Sequence, residues 1–325
     1  MHSAPILVTG AAGFIGFRFA EAAQQRGLHV VAADRVEHFA NRREHGAPNY
    51  QRVVDRDHLL TWLNEEKPPL SAIIHLGACT DTTQLDADYL RRTNTEYSQQ
   101  LWNFAAERGV PFFYASSAAT YGDGGAGYND DESLLSKLQP LNLYGQSKHS
   151  FDLWVLEQER RGSAPPLWAG FKFFNVYGFG ERHKGKMASV ALHAFDQILS
   201  RGSLRLFRSH RSGIADGEQK RDFILVDDVV DALFFALQRP LERGLFNLGT
   251  GGARSFLDLA RAVFTALQRP EKIEFIDTPP EIRERYQYFT QAPMEKLRAA
   301  GYTTPFTPLE SGVTRYIERL LKARP

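Results

Sequence analysis

Three side chains in the first half of the chain have the types that proton transfer needs. Tyr144 and Lys148 lie in PLNLYGQSK, four residues apart, so a helix would place them on one face, one turn from each other. Ser117 stands in YASSAATYG, at the end of an apolar run. Tyrosine is a poor base at neutral pH because its ordinary pKa is about 10, and a nearby ammonium lowers that pKa. Tyr144 is therefore a candidate base assisted by Lys148, and Ser117 could hydrogen-bond the oxygen that loses its proton.

A glycine-rich turn follows the first apolar run. VTGAAGFIG places Gly10, Gly13 and Gly16 at Gly-x-x-Gly-x-x-Gly spacing, between a strand pattern and a helix pattern. In dinucleotide-binding turns the first glycine permits the tight turn, and the second lets the backbone approach the pyrophosphate. The third allows the helix to pack closely on the strand. Asp34 ends the second apolar run at the expected distance. The sequence therefore predicts a nicotinamide dinucleotide site.

The residue after Asp34 leaves the choice between NAD and NADP open. An Asp at this position accepts hydrogen bonds from ribose hydroxyls, which suits NAD, whereas Arg35 can pair with the 2′-phosphate of NADP. Arg42 and Arg43 could assist. On these residues alone, a solvated Arg35 and a phosphate-binding Arg35 explain the pattern equally well.

A second lysine is a further candidate acid or base. Lys184 lies in ERHKGKMASV, beside His183 and two residues before Lys186. A lysine exchanges protons near neutral pH only if burial or neighbouring cations lower its pKa, and His183 and Lys186 could be such cations. The residue types alone leave two roles open for Lys184, which are catalysis and binding of a substrate diphosphate.

The composition indicates a soluble globular protein. The chain has 325 residues, 43% of them hydrophobic, and a formal net charge of +1, which gives no reason to expect a nucleic-acid partner. The single cysteine, Cys79, excludes an intramolecular disulfide and fits a reducing compartment. The sequence contains neither a signal-peptide pattern nor an apolar run long enough to span a bilayer. We expect a cytoplasmic protein without a membrane partner and without a metal site.

The apolar pattern predicts the elements that position these residues. Strands are predicted at 6–10, 28–34, 72–78, 111–117 and 167–174, alternating with helices near 14–26, 57–66, 86–108 and 142–160. This alternation predicts an α/β fold with a Rossmann-type, doubly wound parallel sheet over residues 1–175. Beyond it, strands are predicted at 204–207 and 221–226, with helices near 187–200, 227–238, 255–268 and 307–322. We expect residues 176–325 to form mainly a smaller C-terminal α/β substrate-binding domain, although residues 221–250 could return to the main sheet.

Several motifs together resemble a known family. The chain is similar to the extended short-chain dehydrogenases/reductases that act on nucleotide-sugars, and among them to the ADP-L-glycero-D-manno-heptose 6-epimerases. The similarity runs over nearly the whole chain and includes HLGACTDTT, YASSAATYG, PLNLYGQSK, FFNVYG, KRDF, FNLGTG and LRAAGYTTPF. The motifs HKGKMASV and RYQYFTQA are more particular to the heptose epimerases.

The resemblance implies a redox-neutral epimerisation at C6 of ADP-D-glycero-D-manno-heptose through a 6-ketone, with bound NADP, which the family commonly uses. The intermediate must turn to present both faces, and one base cannot reach both oxygen positions, since proton transfer needs about 2.6–3.2 Å between heavy atoms. By motif, Tyr144 matches the first base and Lys184 the second. The family also implies a homo-oligomer, reported as a pentamer, and a product used in lipopolysaccharide inner-core assembly.

The motif match also assigns binding residues. Those expected to contact the cofactor are Gly10, Gly13, Phe14, Ile15, Gly16, Asp34, Arg35, Arg56, Leu76, Gly77, Ala78, Cys79, Thr80, Asn94, Tyr144, Lys148, Val176 and Lys184. Those expected to bind the substrate are Ser117, Asn175, Lys186, His193, Phe207, Arg221 and Tyr286. Arg221 is the expected diphosphate clamp because its guanidinium presents a fork of donors. Lys186 departs from the family, which usually has a small residue there.

Three alternatives share part of this pattern. A 4,6-dehydratase needs an Asp–Glu pair beside the catalytic serine, and Ala118 and Ala119 occupy those positions. A nucleotide-sugar 4-epimerase shares the trio and the glycines but does not need Lys184. A catalytically silent dinucleotide-binding protein would be expected to lose Tyr144 or Lys148, and both are present.

Overall fold

The chain folds around one large parallel sheet, and the computed structural model describes residues 4–42, 44–46, 48–239, 241–283 and 286–323. The strands are β1 (Ile6–Thr9), β2 (Val30–Asp34), β3 (Arg52–Asp55), β4 (Ala72–His75), β5 (Phe112–Ser117), β6 (Trp168–Phe173), β7 (Asn175–Tyr177), β8 (Leu204–Phe207), β9 (Lys220–Leu225), β10 (Gly244–Leu248), β11 (Ala253–Ser255) and β12 (Ile273–Ile276). The α-helices are α1 (Phe14–Gln25), α2 (Val36–Asn41), α3 (Leu59–Glu66), α4 (Ala87–Leu90), α5 (Tyr97–Arg108), α6 (Leu143–Arg160), α7 (Val190–Arg201), α8 (Val226–Gln238), α9 (Phe256–Ala266), α10 (Pro280–Arg283), α11 (Glu295–Ala299) and α12 (Leu309–Lys322). A π-helical turn spans Arg91–Glu96, and 3₁₀ turns span Ala118–Tyr121, Glu132–Lys137 and Arg182–Met187.

The main sheet has the order β10-β6-β5-β4-β1-β2-β3, and every neighbouring pair is parallel. The strand order reverses between β1 and β4, and open α/β sheets bind ligands in the crevice at such a point, outside the carboxyl ends of the strands. This arrangement confirms the predicted doubly wound, Rossmann-type fold.

Both faces of the main sheet are covered, which explains the nearly continuous apolar runs. Every residue of β1, β2, β4 and β6 is buried. On one face α1 packs on α8, where the rings of Phe19 and Phe234 stack with centroids 4.6 Å apart. On the other face Trp102 meets Phe112 and Trp168 edge to face, at 5.6 and 5.3 Å. Burial of each such side chain contributes about 1.5–3 kcal/mol.

The C-terminal part has two small sheets of its own. One has the order β11-β9-β7, and the other pairs β8 with β12 in parallel. The helices α7, α9 and α12 enclose a second core that includes Phe195, Val263 and Ile317. The strand β10 pairs with β6, so only the end of the segment 221–250 lies in the main sheet. The domain boundary at residue 175 stays a prediction.

The elements that the sequence pattern did not indicate are short. The strands β3, β7, β11 and β12 have three or four residues each, which is too few for a period-2 pattern to stand out. The helix expected near 86–108 is divided by the π-helical turn. In the part of the chain that the structure describes, no helix is both long and apolar enough to cross a membrane.

Candidate active site

A cavity of ≈ 930 Å³ lies at the carboxyl ends of the main-sheet strands, on both sides of the switch point between β1 and β4. That volume falls at the upper end of the range for ligand pockets. The predicted site residues that line it are Gly10, Gly13, Phe14, Ile15, Gly16, Asp34, Arg56, Leu76, Gly77, Ala78, Cys79, Thr80, Ser117, Tyr144, Lys148, Asn175, Val176 and Lys184. Residues from both halves of the chain therefore meet in one cavity.

The glycine turn has the geometry of a pyrophosphate cradle. Gly10 has a φ of +66°, and a Cβ there would lie 2.7 Å from the backbone nitrogen of Gly77. A Cβ on Gly16 would lie 2.1 Å from the carbonyl oxygen of Gly10. Because α1 begins after Gly13, which has no side chain to cap it, the first N–H groups of the helix are available to an anion. These residues fit a dinucleotide.

The end of β2 is organised around the carboxylate of Asp34. Its Oδ2 accepts a hydrogen bond from the backbone N–H of Ala12 at 3.1 Å, and its Oδ1 accepts from the N–H of Arg35 at 2.8 Å. Oδ1 also lies 2.8 Å from Nδ1 of His38, which is 3.0 Å from Nη2 of Arg42. His38 and Arg42 line the cavity. Burial lowers the pKa of Arg42, and Asp34 opposes that shift.

The arginines that line the cavity include Arg42, Arg56 and Arg92, and the one beside Asp34 and His38 is Arg42. Its Nη1 donates to the carbonyl oxygen of Ala12 in the glycine turn. Arg35, the expected cofactor residue, is half-buried and is not among the residues that line the cavity. Arg43 lies outside the described residues.

Asn94 does not line the cavity but contacts the loop that follows β4, on the side away from the cavity. Its Oδ1 accepts from the N–H of Cys79 at 2.8 Å, and its Nδ2 donates to the carbonyl oxygen of Cys79 at 2.9 Å and to Oγ of Ser147 at 3.0 Å. Asn94 is buried in the π-helical turn, a feature frequent at functional sites. It therefore fixes the backbone of the loop after β4 from behind.

The proton-transfer trio is brought together by the packing of α6 on the end of β5. Asn142 caps α6 by accepting from the N–H of Gly145 at 2.7 Å, and a Cβ on Gly145 would lie 2.8 Å from the carbonyl oxygen of Ala119. This close approach brings Tyr144 to Ser117. The Ser117 hydroxyl accepts from the N–H of Ala119 at 3.1 Å and also hydrogen-bonds Tyr144.

Burial shifts the pKa values of two members of the trio, Tyr144 and Lys148. Burial raises the pKa of Tyr144, and the contact that lowers it is the hydrogen bond with Ser117. The expected lowering of the Tyr144 pKa by Lys148 together with an oxidised nicotinamide stays a prediction for the complex with the dinucleotide. Burial also lowers the pKa of Lys148 to about 8, opposed by Asp152, and its Nζ donates to the carbonyl oxygen of Ala115 at 2.9 Å.

A buried ion pair lies beneath the trio. Lys172 Nζ is 2.7 Å from Oδ2 of Asp152, and both side chains are fully buried. Tyr114 and Ser116 donate to the same carboxylate at 2.9 and 2.7 Å, and Lys172 also donates to Thr120 Oγ1 at 2.8 Å. No motif in the sequence predicted this network, although Asp152 stands one helical turn after Lys148 on α6.

Lys184 lies in the same cavity as Tyr144, on the 3₁₀ turn Arg182–Met187. It is half-buried, with its Nζ 5.5 Å from the centroid of the Phe14 ring. Burial lowers its pKa, and Glu181 raises it. The expected cationic neighbours are not the cause: desolvation and then Arg42 lower the pKa of His183, which leaves it neutral, and Lys186 is exposed.

The expected substrate residues separate into two groups. Ser117 and Asn175 line the cavity, whereas Lys186, His193, Phe207, Arg221 and Tyr286 do not. The guanidinium of Arg221 lies 5.4 Å from the Tyr286 ring centroid, and the rings of Phe207 and Tyr286 meet edge to face at 6.3 Å. These three form a second, adjacent group in the C-terminal part. Cavity residues that the sequence analysis did not single out include His38, Thr82, Arg92, Met187 and Ser189.

The comparisons with known proteins agree with this geometry. A family model described as the NAD dependent epimerase/dehydratase family matches residues 6–249. The chain therefore belongs to this family, is an isomerase of the epimerase type, and uses a nicotinamide dinucleotide.

Particular relatives narrow the comparison. The ADP-L-glycero-D-manno-heptose-6-epimerase of Fusobacterium nucleatum is 44% identical over 97% of this chain and 98% of its own length. The solved ADP-L-glycero-D-manno-heptose-6-epimerase of Helicobacter pylori matches with a TM-score of 0.79 and 28% identity, over 98% of this chain and 97% of that one. MoeE5, solved with UDP-glucuronic acid and NAD, matches with a TM-score of 0.78 and 26% identity, over 98% of this chain and 100% of that one. The resemblance to the heptose epimerases is thus confirmed.

Proposed function

We propose that this enzyme converts ADP-D-glycero-D-manno-heptose to ADP-L-glycero-D-manno-heptose with bound NADP, through a 6-keto intermediate and two acid/base residues. The product would be a precursor of the lipopolysaccharide inner core. The observation that carries the proposal is that Tyr144 and Lys184 line one cavity in a chain 44% identical to a heptose 6-epimerase.

The trio at the end of β5 serves the first oxygen position. Tyr144 takes the proton of the C6 hydroxyl, and Ser117 donates a hydrogen bond to the same oxygen. Lys148, whose pKa of about 8 leaves it mostly protonated at pH 7, stabilises the phenolate. A bound nicotinamide dinucleotide would supply hydride transfer from C6 and back to it, so that no external oxidant or reductant is consumed.

Lys184 serves the second oxygen position. After the ketone turns, its oxygen leaves the reach of Tyr144, because proton transfer requires about 2.6–3.2 Å between heavy atoms. Lys184 comes from a different segment of the cavity lining than α6, and its burial brings its pKa towards neutrality. It can therefore protonate the oxygen there and take the proton back in the reverse direction.

Preference for NADP would rest on Arg42. Both oxygens of Asp34 already accept hydrogen bonds from the protein, and the Arg42 guanidinium lies at the same end of the cavity. A 2′-phosphate beside Arg42 and His38 would receive charge-assisted hydrogen bonds. The homo-oligomer and the cytoplasmic location stay predictions.

The test is a proton NMR assay of the C6 configuration, with protein purified without added cofactor and ADP-D-glycero-D-manno-heptose as substrate. We expect the wild type to convert it and Tyr144→Phe and Lys184→Met to lose about 100-fold or more in kcat, since one acid/base group contributes about 10²–10⁴. Lys137→Met, an exposed lysine on a distant turn, is the matched control and should stay within about twofold.

Two results would contradict the proposal in different ways. Full activity of Lys184→Met would show that Lys184 is not the second base, while the assignment of the reaction would stand. Absence of conversion with NADP supplied, together with turnover of UDP-glucose to UDP-galactose, would identify a 4-epimerase instead.

A further inference from the structure

A fully buried carboxylate lies next to the segment that carries Lys184. Glu181 is 0% exposed, and its Oε1 accepts hydrogen bonds from the N–H of Gly178 at 3.2 Å, from Ser189 Oγ at 2.6 Å and from the Tyr316 hydroxyl at 3.0 Å. Its Oε2 accepts from the N–H of Ser189 at 2.6 Å. Four donors therefore converge on one side chain.

These donors come from both sides of the Lys184 segment. Gly178 precedes the 3₁₀ turn Arg182–Met187, and Ser189 follows it and caps α7 by accepting from the N–H of Leu192 at 3.3 Å. Tyr316 comes from α12, which packs in the second core. One carboxylate thus ties the start of the segment to its end and both to the C-terminal helix. Hydrogen bonds to a charged acceptor are stronger than those between neutral groups. The Glu181 carboxylate therefore holds the two ends of the segment close together.

Within the segment, the N–H of Lys184 donates to the carbonyl oxygen of Glu181 at 2.9 Å, and the N–H of Ala188 donates to that of Gly185 at 3.1 Å. The His183 ring also meets His45 edge to face at 5.3 Å. Gly185 has a φ of +53°, and a Cβ added there would meet no atom within 4 Å. The outer contacts are at the beginning, where the N–H of Arg182 donates to Glu44 at 2.9 Å and its guanidinium pairs with Asp196 at 3.0 Å. The position of Lys184 therefore depends on how the two ends are held.

Glu181 is also an acidic group close to the basic side chain of Lys184. The titratable and charged side chains on the elements packed here include His38, Arg42, Glu44, His45, Glu181, Arg182, His183, Lys186, Asp196, Tyr316 and Arg319. Glu181 acts directly on Lys184 and raises its pKa, against the lowering by burial. Glu44 interacts with Arg182 at the outer side of the segment.

We propose that Glu181 is a positioning residue for Lys184: its carboxylate closes the Lys184 segment so that the ammonium faces the cavity, and it supplies the counter-charge for that ammonium. This inference rests on the proposed function, because the position of Lys184 matters to the reaction only if Lys184 transfers a proton. Glu181 itself does not line the cavity.

The first experiment follows the titration of Lys184 by NMR of ¹³Cε-labelled lysine, with the signal assigned by its loss in Lys184→Met. In Glu181→Gln we expect the Lys184 pKa to fall by about 0.5–1, because an isosteric amide removes the negative charge. The matched control is Asp228→Asn, another buried carboxylate, which accepts two hydrogen bonds from Thr307 at 2.8 Å and does not line the cavity. It should leave the Lys184 titration unchanged. An unchanged titration in Glu181→Gln would overturn the counter-charge role.

The second experiment measures C6 epimerisation in Glu181→Asp, which keeps the charge but is one methylene too short to reach both Gly178 and Ser189. We expect kcat to fall about tenfold with KM within about threefold, as misplacement of an acid/base group predicts. Wild-type kcat in Glu181→Asp would overturn the positioning role, and this variant also tests the proposal if Glu181→Gln does not fold. If the wild type fails to epimerise the heptose, the proposed function fails, while the NMR titration still decides whether Glu181 and Lys184 are coupled.

Discussion

Replacement of Lys148 by methionine should abolish activity and yet stabilise the protein. Lys148 is 5% exposed, and burial lowers its pKa from 10.5 to about 8. At about 1.4 kcal/mol per pH unit, this difference corresponds to about 3 kcal/mol of destabilisation while the side chain is charged. Methionine has a similar length and no charge, but it loses the hydrogen bond to the Ala115 carbonyl, which contributes about 1 kcal/mol. We expect a net gain of about 2 kcal/mol at pH 7.

The pH dependence follows from the sign of the shift. Because the folded-state pKa of Lys148 is lower than the unfolded value, the unfolded chain binds more protons between about pH 8 and pH 10.5, and the wild type gains stability as pH rises through that window. Below pH 8 the cost of the buried charge is fully present. The advantage of Lys148→Met should therefore be largest at pH 7 and shrink towards pH 10.

The assay is thermal unfolding of nucleotide-free protein at about pH 7 and about pH 9.5. With an unfolding entropy of about 2.1 cal/mol/K per residue, 2 kcal/mol raises the Tm of a 325-residue chain by about 3 °C. Lys172→Met is the contrasting variant, because it leaves the buried Asp152 without the partner at 2.7 Å and should cost about 3–5 kcal/mol. A Lys148→Met protein less stable than the wild type at pH 7, or an advantage that does not shrink with pH, would refute the reasoning.

Three further variants test other parts of the site. Gly16→Ala places a Cβ 2.1 Å from the Gly10 carbonyl oxygen and should weaken NADPH binding about 100-fold by fluorescence titration, whereas Gly46→Ala, with open space around it, should bind normally. Arg42→Ala should weaken NADPH about tenfold or more and leave NADH within about threefold; equal losses would contradict the assigned phosphate role. Asp222 is a buried carboxylate that accepts four hydrogen bonds from the loops at 250–251 and 292. Asp222→Asn should lower the free energy of unfolding, measured with denaturant, by about 2–4 kcal/mol. A variant as stable as the wild type would show that an amide suffices there.

Features that depend on near neighbours in the chain could be predicted from the sequence. The glycine spacing and the Tyr144–Lys148 interval are set by backbone geometry within one or two turns. Several elements also followed from their patterns: the short strand predicted at 204–207 coincides with β8, and the long helix near 142–160 differs from α6 by one residue at its start. Residue types and local periodicity contain this information because each helical turn or strand pair repeats the same geometry.

The assignment of charges was less predictable. Arg35 follows Asp34 directly and was expected to bind the phosphate, but Arg42, seven residues further at the end of α2, lines the cavity and Arg35 does not. Similarly, Lys186 is only two residues after Lys184 in sequence, and it is exposed in the structure. Proximity along the chain does not determine which side of a loop a long side chain takes.

The sequence by itself determined the class of fold, the dinucleotide turn and the identity of the acid/base candidates, since these depend on motif and period. Only the tertiary structure decided how those candidates are tuned. Lys184 has a lowered pKa because other segments cover it, and Glu181 reaches its partner Tyr316 across 135 positions of sequence. Lys172 and Asp152 meet because β6 packs against α6. The free energy of a charge depends on the solvent that surrounding segments exclude, and no local pattern records which segments those will be.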